Sequence, residues 1–285
     1  MLFYHYCSVS AFCSILEQKR LRLSLLSMSN DAKEGQHVLD VARRLLPDHF
    51  ENKEAALEQL QTVISQVSAL GFCVSRDGDL LSQWRGYADD ARGVAIGFDY
   101  ELLKTTAKSE SNEDLIIHFT PVAYEDEQLE EVMKPDLARI VEHYKSGQMV
   151  RKFPSLLFPM TDEEMEAEQS RYKEAVSALF WKLLRISNYA YGVKSPFFNE
   201  EKEWRLIALL TTNEHGLNLP NAKFSSDAGK LKPFREFPLT GFASALIQEI
   251  ILGPRNQTPP DVVKLFLRST GFGHVPVRSS TGSYT

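Results

Sequence analysis

Cysteine is scarce in this 285-residue chain: Cys7, Cys13 and Cys73 are the full complement. They form no CxxC pair and share no ligand-like spacing with histidine. That excludes a disulfide framework and a zinc site, and it points to a reducing compartment, the cytoplasm. No apolar run approaches the ~20 residues that span a bilayer. The first ten residues, MLFYHYCSVS, lack a basic segment leading into a long apolar one, so they do not read as a signal peptide. Positive charge is not in excess either. A net charge of −6 and a pI near 5.7 argue against tight non-specific binding to nucleic acid. Also absent are a Walker loop, a GxSxG elbow, an HExxH helix and a Rossmann glycine fingerprint. There are no internal repeats and no low-complexity tract.

What is present is the composition of a globular protein, 43% hydrophobic and 25% charged. The chain reads as one domain over 1–285. Residues 2–6 (LFYHY) predict a first strand, Ser8 or Ser10 a cap for a helix over 11–18, and 21–24 a second strand. Ser29-Asn30-Asp31 reads as a turn and N-cap with Glu34 three residues on. Helices follow over 32–46 and 52–69, with Leu57, Leu60, Ile64 and Val67 at helical spacing. Strands are expected at 71–75, 93–98, 115–124, 203–210, 245–252 and 274–277. Helices are expected at 80–87, after Asp99, and at 259–270. The glycines of 93–98 suggest close backbone approach. Residues 125–190 are acidic and helical and read as an inserted lobe, whereas 213–240 should be mostly loop. The fold class is α+β, with a mixed or antiparallel sheet and a large helical insertion.

The most informative stretch runs from Phe198 to Leu210. It opens as a carboxylate cluster and ends as an apolar run, the pattern of a buried strand that carries acids to the mouth of a pocket. With side chains alternating, Glu201, Glu203, Arg205 and Ile207 would share one face, and Trp204, Leu206 and Ala208 the other. Two carboxylates on one face repel, so one proton affinity should rise unless a cation compensates, and Arg205 is placed to be that cation. The plainer alternative is a solvated loop running into a core strand, with Glu203 and Arg205 as a surface pair.

Other candidates each have a structural alternative. His5 sits mid-strand between two tyrosines, where core or edge histidines are common. Asn30, Asp31 and Glu34 can be a helix cap. Trp84, Arg85 and Tyr87 can be core anchors or a platform for a flat ring, with Trp84 and Tyr87 three apart on one helix side. Ser75 ends a strand. Glu200, Glu201 and Lys202 form the acid-x-Lys triplet that Mg²⁺ nucleases use.

Several fragments, in order, resemble a bacterial family known only as domain-of-unknown-function family 2971. They are Phe3–Ser8, Leu21–Ser24, Asn30-Asp31 with Glu34, Phe72–Ser75, Gln83-Trp84 with Tyr87, Gly93–Phe98, Lys194, Glu201, Glu203-Trp204-Arg205 and Glu249–Pro254. The likeness extends over nearly the whole chain. A more distant resemblance is to mono-ADP-ribosyltransferases. Tyr4-His5 resembles the Tyr-His strand of the diphtheria-toxin-like branch, and Glu201-x-Glu203 the acid pair of the other branch, whose second member is catalytic. Tyr6 stands where the toxin branch keeps glycine.

That second resemblance implies an ADP-ribosyltransferase-like sheet and an enzyme acting on NAD as substrate, by transfer or hydrolysis, in a toxin or phage-defence setting. Glu203 would stabilise the oxocarbenium-like ribose and hold its 2′-hydroxyl, Glu201 would orient acceptor or water, and His5 with Tyr4 would hold the ribose. Tyr87 or Trp84 would stack on nicotinamide, Arg205 would tune Glu203 or grip a phosphate, and Ser75 and the Asn30-Asp31 turn would line the pocket. No metal is expected on this reading. The acceptor would be a protein or nucleic acid. Two further readings stay open. One is a non-catalytic binding protein whose helical lobe meets a protein partner. The other is a Mg²⁺-dependent nuclease using Asp31, Glu34, Glu201 and Lys202. No membrane is involved in any of them.

Overall fold

A computed structural model describes residues 1–28, 34–111, 117–154, 159–213, 216–217, 219, 221–227, 229–239 and 243–284. The order of elements is β1 (Leu2–Cys7), α1 (Val9–Gln18), β2 (Arg20–Leu25), α2 (Glu34–Leu45), α3 (Lys53–Gln66), β3 (Val67–Ser75), α4 (Leu81–Tyr87), β4 (Val94–Asp99) and α5 (Tyr100–Ser109). Then come β5 (Ile117–Pro121), α6 (Asp126–Lys145), α7 (Asp162–Ser187), β6 (Glu203–Asn213), β7 (Gly216–Leu217), β8 (Lys223–Asp227) and β9 (Lys230–Pro238). Last are α8 (Ala243–Leu246), β10 (Ile247–Leu252), α9 (Pro260–Thr270) and β11 (Val277–Ser279). Short 3₁₀ turns occupy Leu26–Met28, Asn188–Tyr191 and Pro196–Glu201.

Among the described residues, eleven strands make one mixed sheet, with the path β11-β10-β4-β1-β3-β2-β9-β8 and a branch in which β6 pairs with β3, β5 and β7. Only the β10–β11 pair is parallel among the described ladders. The α+β class with a large mixed sheet is therefore the observed architecture. Local chemistry explains many boundaries. The Ser8 hydroxyl accepts from the Ala11 amide and Asp99 accepts from the Leu102 amide, so both helices start at side-chain caps. Gly93 has no room for a side chain: a Cβ there would sit 2.1 Å from the Cys7 carbonyl oxygen.

β3 is the hub. One edge pairs with β6 along its whole length, Val67 opposite Thr211 through Ser75 opposite Glu203. The other edge divides: β1 meets it at Ser75, through Tyr4, while β2 meets it at Leu70 and Gly71. One sheet face carries Phe3, Phe72, Ile96, Leu206 and Ile250, buried under Phe12 and Leu16 of α1 and Leu267 of α9. The opposite face holds two separate apolar patches. Tyr6, Ala95 and Ile251 pack with Trp84 of α4, while Ala69 and Ile207 pack with Leu26. Beside the second patch stands a helical lobe whose core joins Val41 and Leu60 to Met133, Ile140 and Leu183. The lobe therefore draws on α2 and α3 as well as on α6 and α7.

Three expectations are corrected. The 213–240 stretch holds the β8–β9 hairpin, whose β9 pairs with β2 from Arg20 opposite Pro238 to Ser24 opposite Phe234. Its buried Phe234 and Phe237 stand three apart, an interval that hides a strand. The helix expected over 52–69 ends at Gln66, because Val67, Ala69 and Leu70 are taken into the ladder with β6. The final strand lies at Val277–Ser279, not 274–277.

Candidate functional site

Between the two apolar patches lies a cluster of buried charge. Glu203 opens β6, and Arg205 follows it on the same face, opposite Ser75 and Cys73 of β3. Trp204 points the other way, its ring 5.0 Å from that of Phe3 and 5.3 Å from that of Phe119. The expected alternation therefore holds for Glu203, Arg205 and Ile207. Glu201 arrives differently. It ends the Pro196–Glu201 turn, and Lys202, in the left-handed region at φ 45°, breaks the chain before the strand begins. The Ser75 hydroxyl donates to the Glu201 carbonyl at 2.7 Å and anchors that turn.

The two acids meet at one cation, Lys194. Its Nζ lies 2.5 Å from Glu201 Oε2 and 3.2 Å from Glu203 Oε2. It is placed by Ala123, whose carbonyl accepts from the Lys194 amide and whose amide donates to Gly192. Arg205 grips Glu203 through Nε at 2.9 Å and spends another nitrogen on the Tyr191 carbonyl. Tyr87 donates to Glu201 Oε1 at 3.2 Å, and the Tyr124 hydroxyl accepts from the Glu203 amide at 2.8 Å. All four charged side chains are at most 8% exposed, whereas Tyr87 is 44% exposed and stands at the surface end of the cluster. Gln83, one turn before Tyr87 on α4, is also buried.

Electrostatics follow from this geometry. Burial pushes the Glu203 carboxyl up, but Arg205 first and Lys194 after it outweigh burial and hold the carboxyl below its ordinary value. Lys194 is the mirror case: burial pulls it down, and Glu203 and Glu201 together raise it. Burial raises the Cys73 thiol well above its usual value, with Glu203 beside it adding to the effect, so Cys73 stays protonated next to that carboxylate. The Tyr87 hydroxyl is pushed up to about 12, chiefly by burial. The cluster sets two acidic side chains against two basic ones, all four out of water. A hollow of ≈ 530 Å³ opens against Glu203, rimmed by Arg76, Asp77, Tyr124 and Lys202.

Residues 83–206 match the model of a protein family of unknown function, DUF2971. The match spans less than half the chain, not nearly all of it as the scattered fragments suggest. It takes in Trp84, Tyr87, Lys194, Glu201, Glu203 and Arg205, and leaves out Tyr4, His5 and Ser75. No curated protein and no solved structure gave a match.

The structure brings Ser75, Tyr87, Glu201, Glu203 and Arg205 together. His5 is elsewhere. Tyr4 pairs with Ser75 and Ser75 with Glu203, so Tyr4 is on the acid face and His5 on the opposite one. The imidazole stacks on Phe72 with ring centroids 4.1 Å apart, and Nδ1 bonds the Cys73 carbonyl at 2.9 Å. A carbonyl only accepts, so Nδ1 carries the proton. His5 thus plugs the gap where β1 and β2 part from β3, and the expected sharing of one cleft by His5 and Glu203 is corrected by strand parity.

Tyr4 turns toward the far strands and donates to Glu249 at 3.0 Å. Trp84 and Tyr87 part company. Trp84 is buried edge-on against Tyr6, with its Nε1 donating to Asp79, so it has no face free for a ligand ring. Asn30 and Asp31 lie outside the described residues, as does the side chain of Glu34. Lys202 lies 3.7 Å from Asp77 at the surface and does not join Glu201. Sequence reasoning missed Lys194 as a member of the site. Only its place in the family resemblance marked it, because nothing in its spacing ties it to acids seven and nine residues on.

Among the described residues, no group of three or more histidine, cysteine or acidic side chains is arranged to hold a metal. No helix among them is long and apolar enough to cross a membrane.

Proposed function

We propose that the protein is an ADP-ribosyltransferase-like enzyme that cleaves the nicotinamide–ribose bond of NAD, centred on Glu203 and Glu201. The observation that carries this reading is the convergence of two buried carboxylates, a strand-end serine and a half-exposed tyrosine, with Glu203 alone of the four lining a small-molecule-sized hollow. Glu203, kept ionised by Arg205 and Lys194, stabilises positive charge as the C–N bond breaks and nicotinamide leaves with the bonding pair. Water or an acceptor hydroxyl then bonds to the ribose carbon, and its proton passes to Glu201 or to solvent. Tyr87, half-exposed and bonded to Glu201, supplies an aromatic surface at the solvent side of the acid pair. His5 and Trp84 have no part in this chemistry. Nicotinamide release from NAD tests the reading. Glu203→Gln should slow it by roughly a hundredfold or more, and Glu201→Gln should slow it as well. Absence of release by the folded wild-type protein, with a cell lysate supplying acceptors, rejects the enzyme.

One observation favours a second reading, a non-catalytic binding protein on the same scaffold. Both oxygens of each acid already have a partner in Lys194, Arg205 or Tyr87. On that reading the cluster is structural, and the helical lobe meets a protein partner. NAD binding without turnover, or no NAD binding at all, supports it.

A further inference from the structure

We propose a second ligand site, for a phosphorylated small molecule, in the groove between the edge strand β5 and the helical lobe. A cavity of ≈ 950 Å³ runs there, walled by α5, β5, α6 and the Asn188–Tyr191 turn. That is ample for a nucleotide-sized ligand. It adjoins the carboxylate cluster without including its charged side chains: Pro121 and Val122 line both this groove and the Glu203 hollow, and the groove extends from there along β6 to Ile207, four residues or about 13 Å from Glu203 at the usual strand rise.

Charge sets the ligand class. Lys104 and Lys108 stand one turn apart on α5 and both line the groove. Neither forms an ion pair among the described residues, and Lys104 only lies over the Tyr100 ring. Arg185 of α7 also lines the groove. It shares Asp136 with Arg139, so one carboxylate serves two guanidiniums and positive charge is left over. His118, in the same wall, has its proton affinity lowered by burial and then by Arg185. Glu131 is the opposing acid in the lining. Among the described residues of the lining, the cations Lys104, Lys108 and Arg185 outnumber the one acid, Glu131, in a chain of net charge −6.

The rest of the lining sets the remainder of the ligand. Ile117, Phe119, Leu129 and Val132 give an apolar floor, so a bare anion would leave most of the groove unfilled. Asn188 in the wall has a buried Oδ1 without a hydrogen-bond partner, a cost that a hydroxyl donor would relieve after a turn of the amide. Phosphate toward the lysines, a hydroxyl toward Asn188 and a ring against the apolar lining describe a nucleoside or sugar phosphate.

Calorimetry on the full chain tests the site, with ADP as the probe and inorganic pyrophosphate and adenosine as the two comparison arms. ADP should bind more tightly than either, and affinity should fall with salt. Lys104→Ala with Lys108→Ala should weaken ADP at least tenfold without shifting Tm, and Glu203→Gln should leave ADP binding as it was. No ADP binding, an unaffected double variant, or pyrophosphate binding as tightly as ADP overturns the proposal. Loss of ADP binding in Glu203→Gln, with the protein folded, also overturns it, because the nucleotide would then belong to the carboxylate cluster.

Discussion

Replacing Lys194 by methionine tests the electrostatic reading of the cluster most directly. Methionine keeps most of the length and the apolar character of the stem and removes the ammonium, its charge and its donors together. Glu201 then loses its one cation, and Glu203 keeps Arg205 alone. Removing one partner of a buried ion pair costs about 3–5 kcal/mol, mostly through the charge left behind. For a chain this long the unfolding entropy is about 0.6 kcal/mol/K, so Tm at pH 7 should fall by roughly 5–8 °C. The pH dependence carries the sign.

In the wild-type protein Glu203 is held below its ordinary value. Its contribution is therefore present above the ordinary carboxyl range and is lost as pH falls through the lower folded value. In the variant Glu203 has lost one of the two cations that hold its carboxyl down, so its folded-state proton affinity rises. The deficit should then shrink as pH falls, and the Tm gap should be smaller at pH 5 than at pH 8. Adding Glu201→Gln to the variant removes the stranded charge and should recover most of the loss. Differential scanning calorimetry across that range reads all three effects. An unchanged Tm at pH 7, or a gap that does not vary with pH, refutes the shared-cation description.

His5 should make the fold acid-sensitive without taking part in catalysis. Burial lowers its proton affinity to about 4, so the unfolded chain takes up a proton between about pH 6.5 and 4 that the native state refuses. Stability falls over that window by on the order of 3 kcal/mol. His5→Gln keeps a donor for the Cys73 carbonyl and should flatten this part of the Tm profile. A variant as acid-sensitive as the wild type defeats the assignment. Trp204→Ala should cost about 3–5 kcal/mol by opening a space among Phe3, Tyr100 and Phe119, read as a lowered urea midpoint. A loss below 1 kcal/mol would mean that the aromatic cluster is not mutually supported.

The parts of this fold legible in the sequence were those where periodicity and capping agree, such as α1 behind Ser8 and β6 with Trp204 and Glu203 on opposite faces. The β8–β9 hairpin was hidden because its lysines, prolines and polar residues read as loop chemistry, while β2 supplies the pairing that makes it a strand. The carboxylate pair was visible, and so was Arg205 as its compensating cation. Two things were not. Parity sends His5 to the other side of the sheet, which needs the β1–β3 register to see. The left-handed residue Lys202 brings Glu201 to the cluster from a turn, so the i, i+2 spacing gave the right neighbourhood by a different route. With Arg205 and Lys194 bound to the Glu203 carboxylate, Glu203→Gln should lower Tm as well as rate.

The β3–β6 ladder has one more consequence. α3 runs straight into β3, and α7 leads through two short turns into β6, so the paired strands are the roots of helices on both sides of the lobe. A disturbance that prises α3 from α7 pulls on the same rungs that seat Glu203 opposite Ser75. Amide exchange at the Ser75 end of that ladder should therefore report on events at the distant helical tip, as a seismograph registers a tremor it does not touch.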